Sequence, residues 1–139
     1  MFTLLKIILL GGSTIITPNP IDIGQEPILI KFEEPISAIT SGASINIDIT
    51  PYISSENISD GLKEIVNIFP SGCVVANLNS IKGEVVTLSR STGSWNGEQK
   101  MLNLSSEIGV PTGVKYISMQ LSSCKEIKNA VVTWYNYSV

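Results

Sequence analysis

The chain has 139 residues, 9 Lys and Arg against 12 Asp and Glu, no histidine and a formal net charge of −3. That length supports one domain with its own core, and so few scattered cations exclude the phosphate-neutralising face that nucleic-acid binding needs. Without histidine, Ser-His-Asp and Cys-His nucleophilic systems are impossible, and two cysteines alone cannot complete a four-ligand zinc site.

The sequence opens on Met1 to Leu10, an apolar run interrupted by Lys6. It resembles the core of a secretory signal, but no A-x-A site follows, and a membrane span needs about 20 residues. We therefore read Thr3 to Leu10 as a strand seeking an edge. Phe2, Leu4, Leu5, Ile7 and Leu9 are its interface side chains, and residues 1–17 form the docking or edge-strand segment. An unprocessed signal and a membrane-touching segment are the competing readings.

Downstream, short runs rich in Ile, Val and Thr alternate with Gly, Pro, Ser and Asn clusters, the punctuation of a β protein. Strands are predicted at Thr14 to Ile16, around Ile28, Ile30 and Phe32, and at Ser44 to Thr50, where Ile45, Ile47 and Ile49 alternate with polar residues. Ser59 to Phe69 fits a helix capped by Ser59 or Asp60 and stopped by Pro70. It also fits a strand with Ile65, Asn67 and Phe69 on one face. Further strands are expected at Cys73 to Leu78, Glu84 to Ser89 and Lys100 to Leu104. Asn96-Gly97 would cap a hairpin between the strands near Val86 and Leu102. Ile117, Met119 and Leu121 share one face of a later strand. Asn129 to Val139 closes the chain, with Val132 and the core residue Trp134 opposite Val131, Tyr135 and Tyr137.

Two features could carry binding or covalent chemistry. Arg90 to Gln99 reads as a loop on which Arg90, Trp95, Asn96, Glu98 and Gln99 would hold a ligand. Trp95 would stack on a sugar ring there, or instead fold back over the domain edge. Cys73 and Cys124 would form a disulfide between the layers of a sandwich, or remain separate buried thiols.

For a carboxylate mechanism the candidates are Glu33, Glu34, Asp48, Glu84, Glu98 and Glu107, but spacing selects no pair. Asp22, Asp48 and Asp60 do not form a calcium loop. Asn-x-Ser triplets at Asn57, Asn103 and Asn136 occur in a chain rich in both residues and identify no modification by themselves. No nucleotide-binding or hydrolase motif is present.

The expected fold is all-β, a single two-sheet antiparallel β-sandwich of Greek-key or jelly-roll type over residues 1–139, with a barrel as the runner-up. The expected function is a non-enzymatic structural or assembly protein without a cofactor or metal. It would be a small virion component, such as a capsid-decorating protein, docking on a shell protein or on its own copies. The alternative is a secreted carbohydrate-binding or adhesion module, extracellular or at a cell surface, with a glycan as ligand. Neither reading involves nucleic acid or a membrane span.

Overall fold

The isoleucines at 45, 47 and 49 set the interior. All three have no exposed surface, while Asn46 and Asp48 between them remain partly accessible. This period of two marks β4 (Ser44–Asp48) as a strand with one buried face.

The computed structural model describes residues 13–17 and 19–136. The predicted strand Thr3 to Leu10, its side chains Phe2, Leu4, Leu5, Ile7 and Leu9, and Tyr137 lie outside the described residues.

Before β4 come β1 (Ser13–Ile15), β2 (Ile21–Ile23) and β3 (Ile28–Ile36); after it come a 3-10 turn at Thr50–Tyr52 and helix α1 (Ile58–Ile68). The chain then runs through β5 (Val74–Ser80), β6 (Val85–Leu88), β7 (Arg90–Asn96), β8 (Gln99–Ser105), β9 (Tyr116–Ser123), β10 (Ile127–Ala130) and β11 (Val132–Tyr135). The strands form a five-stranded sheet β1-β11-β4-β8-β7, a four-stranded sheet β3-β9-β5-β6 and a two-stranded pair β10-β2. All named pairings are antiparallel and no sheet closes on itself. The described residues are thus mostly β with one α-helix. The third sheet departs from the two-sheet expectation.

That third sheet arises because the last predicted strand is broken. β10 and β11 are separated only by Val131, and the chain leaves β2 to join the five-stranded sheet between β1 and β4. Asn129 takes a positive φ and donates its N–H to Asp22 at 2.9 Å, marking the bend. Short flanking strands hid β2 and β10 from a reading of periodicity.

The ambiguous segment is helical. Asn57, not Ser59 or Asp60, is the N-cap: its side chain accepts from the Asp60 N–H at 2.8 Å, satisfying one of the orphan donors of the first turn. Ile65 is fully buried, and α1 packs on β7 and β8. The inward positions of β7 are Ser91, Gly93 and Trp95, which explains why this strand read as a loop. It needs small residues where the helix approaches. A Cβ on Gly93 would sit 3.0 Å from Ile65 Cδ1, and one on Gly61 would sit 2.0 Å from Trp95 Cζ3. Each glycine thus makes room for a large side chain of the other element.

Two further expectations change. Asn96-Gly97 does cap a hairpin, but it joins β7 to β8 rather than β6 to β8. Ile117 is 41% exposed while Met119 and Leu121 are buried, because a register shift between Asn79 and Ser80 breaks the alternation at the start of β9.

Candidate functional site

The Arg90 to Gln99 stretch is a strand and a hairpin rather than a loop, and it sets Arg90 apart from the residues at the hairpin. Arg90 pairs with Ser105 at one end of β7 and Trp95 pairs with Lys100 near the other. Strand alternation puts these two side chains on opposite faces, with about 17 Å between their Cα atoms. Trp95 folds back under α1 against Gly61, and Lys100 Nζ lies 4.7 Å from its ring centroid. Glu98 and Gln99 are exposed at the hairpin. The stacking surface that a pyranose would require is used inside the fold.

Around Trp95 the polar groups serve to hold the helix. Lys100 Nζ donates to the Ser55 carbonyl at 3.1 Å, and Glu64 accepts from the backbone N–H and hydroxyl groups of both Ser54 and Ser55 at 2.7 to 3.2 Å. The Ser55 hydroxyl, helped by the two backbone N–H groups, lowers the Glu64 pKa from 4.5 to about 2. A depressed folded-state pKa gives stability that is complete above about pH 4.5 and lost as pH falls toward 2. Thermal unfolding of the wild type and Glu64→Gln should therefore differ most at neutral pH. The gap should close between pH 4.5 and 2.

The other candidate acids are dispersed. Asp48 accepts from the Thr50 N–H and hydroxyl at 3.0 and 2.6 Å, Asp22 caps Asn129, and Asp60 accepts from Asn57 Nδ2 at 2.8 Å. Among the described residues no group of three His, Cys, Asp or Glu side chains could hold a metal. Tyr116 is buried, its hydroxyl has no partner, and burial, with a lesser push from Glu84, raises its pKa.

Cys73 and Cys124 form a disulfide with a Cα–Cα distance of 4.9 Å. It does not cross between sheets. Cys124 donates its N–H to the Cys73 carbonyl at 2.8 Å, so the bridge continues the β5–β9 ladder at its end within the four-stranded sheet.

The surface that stands out is a set of loops at one end. Loop 37–43 is tied to loop 106–115 by the Ala38–Thr112 bridge and by a 2.9 Å bond from the Val110 N–H to the Ser41 carbonyl. The Ile81 N–H donates to the Lys115 carbonyl at 2.9 Å, drawing in the β5–β6 turn. Three sequence-remote segments thus meet, and each presents an isoleucine to solvent: Ile39 at 44%, Ile81 at 61% and Ile108 at 93% exposure. Ile81 and Ile108 occupy central positions of tight turns, Ser80 to Gly83 and Ser106 to Gly109. Such positions normally take Asn, Asp, Gly or Pro.

Asn136 ties the other chain segments to the same end. Its Oδ1 accepts from the Ile39 N–H at 3.0 Å, and its Nδ2 donates to the Ser37 carbonyl at 3.2 Å. Ser13 pairs with Tyr135 beside it, so the first described strand begins at this end. A lone isoleucine in an otherwise polar turn was the available sequence signal for Ile81 and Ile108.

No protein-family model, curated protein or solved structure matches this chain.

Proposed function

We propose that the chain is a non-enzymatic structural or assembly protein. Its five- and four-stranded sheets would act as the two layers of a sandwich that carries a docking end. The carrying observation is that Ile39, Ile81 and Ile108 are exposed on three loops bonded to one another at one end of the domain. A single exposed apolar residue is ordinary, but three isoleucines exposed on loops of the same end offer apolar area that gains free energy when another protein covers it. The partner class is other protein subunits, a shell protein or further copies. A mean hydropathy of +0.27 supports an assembled setting, and a small virion component such as a capsid-decorating protein is the specific reading.

The test is co-sedimentation of the chain with the particle that carries it. The double variant Ile81→Asp with Ile108→Asp should keep the wild-type unfolding temperature, because both sites are exposed, and lose at least tenfold in association. Undiminished association would overturn the reading.

The disulfide favours a second reading, a secreted carbohydrate-binding or adhesion module, since such bridges persist mainly in oxidising surroundings. Against it stands Trp95, whose ring lies under α1. Glycan binding by the purified wild type, unaffected by the two aspartates, would favour that module over docking.

A further inference from the structure

Three Asn-x-Ser triplets are indistinguishable in sequence, but the structure separates them. The Asn136 amide is 4% exposed, with both its oxygen and its nitrogen bonded to loop 37–39. Asn103 is half-buried on β8, its Nδ2 held 2.6 Å from Asn46 Oδ1 across the ladder. Asn57 alone is exposed, in the irregular segment before α1 rather than within a strand. Its cap uses Oδ1, toward the Asp60 N–H, while Nδ2 has one bond, to Asp60 Oδ2. An amide nitrogen has two hydrogens. Replacing one by a sugar leaves the other for Asp60 and keeps the cap.

The disulfide is the independent observation: a chain that acquires it has passed through an oxidising compartment, the setting in which asparagine glycosylation operates.

We propose that Asn57 is the acceptor for an asparagine-linked glycan. The donor is a polyprenyl-diphosphate-linked sugar. The bond from its anomeric carbon to the diphosphate oxygen breaks as a carbon–nitrogen bond to Nδ2 forms, the polyprenyl diphosphate leaves, and one amide proton passes to a base of the transferase. No electrons are exchanged with an outside reagent. The segment before α1 packs around Lys100, near the β7–β8 hairpin, whereas loop 106–115 starts beyond Ser105 at the other end of these strands. The glycan therefore stands away from the isoleucine loops and leaves them free to dock.

The test is intact-mass measurement and peptide mapping of the chain produced in a eukaryotic secretory pathway, with variants Ser59→Ala and Asn57→Asp. Both keep an N-cap at position 57 and remove an element of the acceptor, so loss of the glycan cannot be ascribed to a lost cap. The expected result is one glycan on the disulfide-bonded wild type, mapped to Asn57 and absent from both variants. A disulfide-bonded chain unmodified at Asn57, whether secreted or retained in the cell, overturns the proposal. So does a glycan mapped to Asn103 or Asn136.

Discussion

Trp134→Ala should destabilise the protein by about 3–5 kcal/mol, lowering the unfolding temperature by roughly 10–20 °C. Trp134 is 1% exposed and stands between Thr14 and Ile45 in an inward row running Thr14, Trp134, Ile45, Leu104 and Ser91 across the five-stranded sheet. Removing the indole opens a void beside the fully buried Ile45, and the flanking strands cannot collapse into it without losing their ladder bonds. The size of the loss has a second determinant: Trp134 Nε1 is buried without a hydrogen-bond partner among the described residues. An unmet donor in the interior costs about 1–3 kcal/mol. Trp134→Phe gives up part of the ring but also removes that donor, so it should cost less than half of what alanine costs. Chemical denaturation of the two variants checks this. A phenylalanine penalty equal to the alanine one would mean that the indole nitrogen contributes a bond of its own.

The interior was more legible in the sequence than the surface on which the proposed docking rests. Ile45, Ile47 and Ile49 announced β4 because one of its faces is fully covered, and Trp134 announced itself as core by its place in an alternating run. β7 did not, because its inward positions are Ser91, Gly93 and Trp95, with a glycine where Ile65 of the helix approaches, and no apolar alternation marks them as a strand. The N-cap at Asn57 was missed because Ser59 and Asp60 have the same capping chemistry, and only backbone geometry decides among them. The isoleucines at 39, 81 and 108 carry a weak individual signal. Their meaning comes from the bonds between loops 37–43, 80–84 and 106–115, which no local pattern encodes.

Those facts bear on how the docking end stays presented. The loops are held by backbone bonds, by the buried Asn136 amide and by the buried Ala38 and Val110, while the isoleucines stay exposed. A clasp of this kind leaves the isoleucine side chains available, and it makes presentation of Ile39 depend on the strand that ends at Tyr135. Disturbing β11 therefore reaches the surface as well as the core, which would couple the stability of the sheet to the proposed docking.

Cleavage of the disulfide is expected to remove about 4 kcal/mol, the loop-closure value for Cys73 and Cys124 at a sequence separation of 51. The effect acts mainly on the unfolded chain, because the native ends are held independently: the Cys124 N–H still donates to the Cys73 carbonyl, and Ser123 still pairs with Val74. Reduced protein should accordingly keep its β-sheet spectrum at 25 °C while its unfolding midpoint falls by roughly 10–20 °C. The double variant Cys73→Ala with Cys124→Ala should match reduced wild type closely, since Cys124 is exposed and only Cys73 leaves a small void. Equal midpoints for oxidised and reduced chains would show that the segment between the cysteines stays ordered in the denatured state, against the loop-closure account. Loss of sheet structure on reduction would show that the bridge itself aligns β5 with β9. Either departure is read directly from denaturation curves taken with and without a thiol reductant.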